Sequence, residues 1–512
     1  GPVDVHPSQR PHALHRRRPR AGDAANGPRD IVTGDVKPSG GIRRPRHMTA
    51  MARPDVPSSV ALPRRDLIRF AAALALVGQA PALAACTGSG SGGSGGGSAG
   101  GGAGGAAGSG SGATLSVSQV ARMKPATTAV APASKAVTGF TERMIAAVLA
   151  KESGNLIASP YSVAAALAMA AAGAKGRTAQ EMLTVLGGLS GADLDAGLAA
   201  LSDTFAGRSG ARTRGDGTGG QVVVDIANSL WAQRDTDWVQ AFLDDLARWF
   251  GAGVNLVDYR SAPEPARARI NAWAAAATHD KITDLVPPGA VDADTRMVLV
   301  NAVYLKAPWE EPFEPTATQP GRFTLDSGAT VQARFMNNSV DGGYAAKGPG
   351  YVAVTLPYLG RELAMTLVLT DKSDPQSHAA WLTGGGLATA LAAAQPTRGI
   401  NLSMPSWTFR SSLELQQILS RLGMPTAFTD SADFTGMSTT TRLAISSVLH
   451  QGFVAVDEQG TEAAAATAVV MRVTAALDEP LTVVLDRPFL FVVHDIETKT
   501  PLFAGRVADP TR

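Results

Sequence analysis

One cysteine and eight histidines limit the chemistry open to this 512-residue chain. A Cys-based metal site needs several soft ligands at short spacing, and a disulfide scaffold needs cysteine pairs, so both are excluded. No Ser-x-x-Lys, His-Glu-x-x-His or phosphate-binding Gly-Lys loop occurs. A Gly-x-Ser-x-Gly match at Gly92-Gly93-Ser94-Gly95-Gly96 lies in a Gly/Ser run, with no strand before it and no helix after it, so it is no nucleophile elbow. The segment with the most distinctive residue pattern is near the C-terminus. From Glu458 to Glu479 there is no proline. Counting from Thr461, one face carries Thr461, Ala463, Ala465, Thr467 and Val469, and the other carries Glu462, Ala464, Ala466 and Ala468. A segment that enters the middle of a sheet must donate every ladder bond and alternate its side chains with period two. This one satisfies both conditions and would bury no Lys or Arg before Arg472. Roughly 14 residues would make a strand of about 48 Å, and its hydrogen bonds could release on the order of 10–20 kcal/mol. The same Ala-rich residues also favour helix, so residue types alone leave an exposed helix open.

The N-terminal part reads as an address. Residues 1–85 carry 14 Lys/Arg against 6 Asp/Glu, which leaves 32 against 38 in the remainder. The basic character belongs to the N-terminal part, so the mildly acidic body is not a nucleic-acid binder. Residues 1–50, rich in Arg and Pro, predict a disordered or untranslated extension. Residues 51–85 follow the order of a secretory signal: a basic stretch with Arg64-Arg65, a short apolar run from Ala71, then Leu83-Ala84-Ala85 before Cys86. The paired arginines resemble a twin-arginine export signal. Leu83-Ala84-Ala85-Cys86 resembles a bacterial lipobox, which implies that Cys86 is acylated and holds the protein to membrane lipid. Residues 86–136 begin with this cysteine and a Gly/Ser-rich stretch that predicts a flexible linker. Residues 137–512 are the expected folded body.

Along that body, helices and strands are interspersed without a βαβ repeat, which predicts an α+β fold. Apolar spacing predicts helices over 137–151, 162–174 and 413–422, the last closed by Gly423. Strands are predicted over 222–231, 295–305, 351–357, 363–369 and 400–404. The Gly-rich stretch 208–220 reads as a long loop. It holds Arg214-Gly215-Asp216, a tripeptide known as an adhesion signal, whose occurrence here reads as a chance match.

Several segments in order resemble one family, the serpins. They include Asn155-Leu156-Ile157-Ala158-Ser159-Pro160-Tyr161-Ser162 with Gly173-Ala174-Lys175-Gly176-Arg177-Thr178, and Asn228-Ser229-Leu230-Trp231. Next come Val300-Asn301-Ala302-Val303-Tyr304-Leu305-Lys306 with Trp309, and Leu356-Pro357-Tyr358. The series ends with Glu458-Gln459-Gly460-Thr461-Glu462-Ala463-Ala464-Ala465-Ala466-Thr467, Arg487-Pro488-Phe489-Leu490-Phe491 and Leu502-Phe503-Ala504-Gly505-Arg506-Val507. The resemblance covers the whole body. It implies a serpin fold of three β-sheets, eight or nine helices and an exposed reactive-centre loop. It implies a protein that is not an enzyme and needs no cofactor or metal. The function it implies is suicide-substrate inhibition of extracellular serine proteases, in which the cleaved loop inserts into the central sheet and traps the acyl-enzyme as a covalent 1:1 complex of a monomeric inhibitor. Hinge residues are then Glu458, Gly460, Thr461, Glu462, Ala463, Ala464, Ala465, Ala466 and Thr467. The shutter under the opening sheet is Ser159, Ser162, Asn301 and His450, a structural cluster with no nucleophile, and Trp309 falls in the breach above it.

By family spacing from Glu458, the reactive bond joins Thr474 to Ala475. A small β-branched residue there implies an elastase-like or subtilisin-like target. A slip of one makes Val473 the bait and keeps that class. A slip of two makes it Arg472, which a trypsin-like pocket with a buried Asp would take. The stretch matching the heparin-binding helix of some serpins, residues 178–201, has Glu181, Asp193 and Asp195 but no Lys or Arg, so polyanion activation is not expected. A non-inhibitory serpin-fold binding or chaperone protein remains the alternative.

Overall fold

The computed structural model of the protein describes residues 114–462 and 480–512. Among these residues are nine α-helices and three β-sheets in an α+β arrangement, as the sequence predicts. The largest sheet is built around strand Met297–Pro308, which pairs antiparallel with strand Gly219–Gln233 on one side. On its other side lie strand Ser447–Asp457 and the two-residue strand Gly460–Thr461. Strand Trp407–Glu414 closes that edge. A second sheet contains strands Tyr351–Pro357, Leu363–Thr370, Phe489–Asp495 and Pro501–Val507, and a third contains Thr330–Val340 and Ile400–Pro405.

Strand Met297–Pro308 is buried on both faces, and its two faces serve two cores. Met297, Leu299, Val303 and Leu305 point into the main core, while Val298 and Val300 pack in a smaller cluster under helix Pro263–Ala277. That is the period-two alternation of a strand. It is hidden in the sequence because both sets are apolar. Helix Pro160–Ala171 lies under the sheet and is buried along almost its whole length. Ser159 caps it by accepting from the Ser162 N–H, and Pro160 stands at its first turn, where no donor is needed. Its alanines allow close approach to the strands above.

Several predicted boundaries move. Ordered structure extends N-terminal of residue 137: Thr114–Ser116 pairs with Val254–Val257, and the first helix runs Val130–Leu149. A three-residue strand is too short to show periodicity, and the helix lacks a side-chain N-cap that would mark its start. The helix predicted from 413 begins at Gln416, because Leu413 and Glu414 finish strand Trp407–Glu414. The stretch 208–220 is a hairpin, Gly210–Thr213 against the start of Gly219–Gln233. Arg214 at its turn is tied inward, donating through Nε to the Glu310 carbonyl (3.0 Å) and through Nη2 to the Trp309 carbonyl (2.6 Å). No helix among the described residues is long and apolar enough to cross a membrane.

The acidic stretch 178–201 is mostly spent on structure. Glu181 accepts from the Thr426 N–H and hydroxyl, and Asp193 accepts from Ser190 at a helix start. Asp195 is 7% exposed on helix Gly191–Ala206. Burial, together with the Asp245 carboxylate, pushes its pKa up to about 7. Between about pH 4 and 7 the folded protein therefore keeps a proton that the unfolded chain releases, and stability falls as pH rises through that window. Asp195→Asn removes the penalty. The thermal midpoint is expected to rise by roughly 2–6 °C at pH 8 and to stay unchanged at pH 4, as calorimetry at the two values would show.

Candidate functional site

The predicted hinge and shutter residues that are described meet along one seam, between strands Met297–Pro308 and Ser447–Asp457. At its lower end the two strands pair directly and in parallel, Ser447–His450 against Val298–Asn301. Above that level no ladder joins them among the described residues until Gly460 and Thr461, which sit between them. Gly460 lies opposite Pro308 and Asp457, and Thr461 opposite Ala307 and Val456. The seam is thus closed at the bottom and wedged open at the top by two residues.

The lower end is held by buried side chains. The His450 Nδ1 is 2.6 Å from Asn301 Oδ1, and its Nε2 accepts the Ser159 N–H at 2.9 Å. An acceptor role for Nε2 puts the ring proton on Nδ1, donated to Asn301. Burial pulls the His450 pKa down to about 4, so the ring is neutral. Ser162 donates through Oγ to Asn228 Oδ1 (2.6 Å), and Asn228 is the cross-strand neighbour of Asn301. The Nδ2 of Asn301 is buried without a partner. Ser159 and His450 do not form a nucleophile and base: the ring bonds the Ser159 backbone, and the hydroxyl is used as a helix cap.

The upper end is held from both sides. Glu458 is buried and accepts through Oε1 from Arg334 Nη2 (2.9 Å) and Thr318 Oγ1 (2.8 Å). Its carbonyl accepts from the Phe313 N–H. Trp309 donates its backbone N–H to the Gln459 carbonyl and its indole N–H to the Asp457 carbonyl. Its ring stacks on Tyr358 with 4.7 Å between centroids and 4° between planes. The Tyr358 hydroxyl is 2.6 Å from Thr461 Oγ1. Gly460 fits because it lacks a side chain: a Cβ there would stand 2.3 Å from the Ala307 carbonyl oxygen. The strand ends at Glu462, whose φ is 52° and whose N–H bonds the Ala455 carbonyl.

Ala463, Ala464, Ala465, Ala466 and Thr467, the bait candidates Arg472, Val473 and Thr474, Ala475, and Cys86 lie outside the described residues. The sequence did not single out Asn228, Tyr358, Thr318 or Arg334 as site residues. Nothing in the local sequence marks Arg334, and only the fold carries it to Glu458, 124 positions away. Among the described residues no cluster of His, Cys, Asp and Glu could hold a metal ion.

A family model described as "Serpin (serine protease inhibitor)" matches residues 135–510. Serpin B6 of Macaca fascicularis is 36% identical over 369 residues, which span 70% of this chain and 94% of that protein. Leukocyte elastase inhibitor of Bos taurus is 33% identical over 372 residues, 70% of this chain and 93% of that one. The native-state structure of tengpin, a thermophilic serpin, matches with a TM-score of 0.66 at 25% identity, covering 78% of this chain and 99% of that one.

Burial also pulls His494 down to about 4 and His378 down to about 3. For each of these histidines the unfolded chain binds a proton below about pH 6.5 that the folded protein refuses until near its own lower pKa. Their stabilising effect is therefore complete above about pH 7 and is lost as pH falls toward 4. Three such groups outweigh the opposite effect of Asp195. The thermal midpoint is expected to drop by more than about 5 °C between pH 7 and 4.5. His450→Gln is expected to reduce proton uptake on unfolding at pH 5.5 by about one, measured from the pH dependence of urea unfolding.

Proposed function

The chain belongs to the serpin family, described as serine protease inhibitors and not catalytic enzymes, and from that premise we propose that it inhibits extracellular serine proteases as a suicide substrate. The observation that carries this reading is the position of Gly460 and Thr461, already seated between two strands that pair with each other further down. The sheet has an entry, and the first inward-facing residue occupies it.

The chemistry belongs to the target enzyme. Its serine Oγ attacks the carbonyl carbon of Thr474, the bond to the nitrogen of Ala475 breaks, and that amine leaves with a proton. An ester then joins the two proteins. The freed loop continues the antiparallel strand that Thr461 begins. Carried inward from Thr461, the registers against the two flanking strands agree: both place residue 467 level with Asn301 and His450. Thr467 would thus part the Asn301–His450 bond and bring a hydroxyl to the unpartnered Asn301 amide. Some fourteen inserted residues would gain on the order of 10–20 kcal/mol, comparable to the stability of a whole domain. That is enough to deform the tethered protease before water cleaves the ester.

Thr474 favours an elastase-like or subtilisin-like target, as does Val473; Arg472 would recruit a trypsin-like one. The name of the bovine relative, leukocyte elastase inhibitor, supports the first class. The same reading places the inhibitor, a monomer, outside the membrane of a bacterial cell. Arg64-Arg65 and the apolar run after them support export, and Cys86 supports attachment through lipid.

Mixing the full chain with elastase, subtilisin and trypsin tests this directly. An adduct that survives denaturing electrophoresis is expected, with a released C-terminal peptide that starts at Ala475. A peptide starting at Val473 with trypsin would move the bait to Arg472. Clean cleavage with no adduct and no rise in thermal stability would leave the non-inhibitory binding reading. Thr461 is 4% exposed against Tyr358, so Thr461→Arg would force a charge into the core. That variant is expected to be cleaved as a plain substrate, with adduct yield reduced at least about tenfold.

A further inference from the structure

On the outer face of the sheet, His279 and Lys281 touch opposite sides of the seam. His279 Nε2 lies 2.8 Å from Asp225 Oδ2, and its ring rests on Tyr304 with 4.4 Å between centroids. Asp225 and Tyr304 are cross-strand neighbours, so this contact belongs to strands Gly219–Gln233 and Met297–Pro308. Two residues further on, Lys281 reaches the other side. Its Nζ is 5.3 Å from the centre of the Phe453 ring, and it pairs with the Glu462 carboxylate. Carried inward from Thr461, both registers put residue 464 level with Tyr304 and with Phe453. Residues 279–281 therefore bridge the seam at the level where Ala464 would enter.

Glu462 is also where the strand stops. Its φ of 52° is left-handed, a conformation that glutamate adopts rarely, and its side chain is mostly buried against Lys281. To carry the strand inward, Glu462 must return to extended backbone, and the two flanking strands must part by about 4.8 Å. Lys281 opposes both movements. It pairs with Glu462 in its turned form, and it lies on Phe453 while His279 grips the opposite strands. His279 and Asp280 are themselves left-handed, at φ 50° and 61°, so the bridge is a tight fold and not a slack loop.

We infer that Lys281 is a positioning residue: it holds Glu462 in its turn, clasps the two strands across the seam, and so sets the rate at which the hinge carries the loop into the sheet. This inference rests on the inhibitory reading above. The test separates the two. The full chain, wild type and variants, is cut in the loop by thermolysin, a metalloprotease that forms no acyl-enzyme. Insertion is then followed by stopped-flow tryptophan fluorescence and by the rise in thermal midpoint. Lys281→Gln and Glu462→Gln are expected to insert about two to five times faster than wild type, the range that loss of one partly exposed ion pair allows. Lys281→Arg is expected to restore the wild-type rate. An unchanged or slower rate in both neutral variants, beside a wild type that inserts, overturns the role of Lys281 and leaves the inhibitory reading standing. A wild type that gains no stability on cleavage overturns insertion itself. A Lys281→Gln variant that merely lowers the midpoint of the uncut protein at an unchanged insertion rate marks an ordinary surface ion pair and also overturns the inference.

Discussion

The protein is organised around one incomplete pairing. Strands Met297–Pro308 and Ser447–Asp457 run parallel and, among the described residues, pair directly through Val298–Asn301 and Ser447–His450 alone. Antiparallel strands can approach through a tight turn, but neighbouring parallel strands must be positioned by whatever surrounds them. Here that support comes from strands 219–233 and 407–414 on the outer sides, helix Pro160–Ala171 beneath, and helix Pro263–Ala277 above. The frame pairs continuously on the outer sides of the two strands, so the proposed additional strand would cost least to admit at the seam.

Polar groups close the seam, although an apolar closure would fit the pattern. Position 301 lies on the face that carries Leu299 and Val303 into the main core, yet it is an asparagine with one amide hydrogen-bonding group left over. A buried unpaired donor costs free energy that a leucine would not. A leucine there would also leave the two strands joined by packing that nothing could replace. On the proposed mechanism the bond from His450 to Asn301 would be exchanged for one to an incoming hydroxyl, and because the histidine is neutral the exchange would move no charge. The upper end follows the opposite logic. Glu458, Trp309, Tyr358 and Gly460 fix the top of the seam by many contacts.

Sequence alone determined a good deal here. The order of landmarks from Asn155 to Val507 points to the fold through its resemblance to the serpin pattern. The period-two pattern from Thr461 onward and its lack of proline can be read directly, although the same residue types leave a helix open. The apolar run of the strand predicted over 295–305 is equally local, whereas the cap at Ser159 and the helix start at Pro160 appear only in the structure. The sequence misplaced what depends on pairing. Leu413 and Glu414 look helical until Ser411 and its neighbours are seen to alternate against strand 447–457, and residues 208–220 look like a loop until Gly210–Thr213 finds its partner. Only the tertiary structure decided where the hinge stops, at Glu462, and what holds it there: Lys281 from one side, and Arg334 and Thr318 through Glu458 from the other. Those partners are separated from the hinge by more than a hundred positions, and a lone Lys, Arg or Thr carries no signal of its neighbour. Contacts across such distances are set by how the sheets pack, and local composition does not encode them.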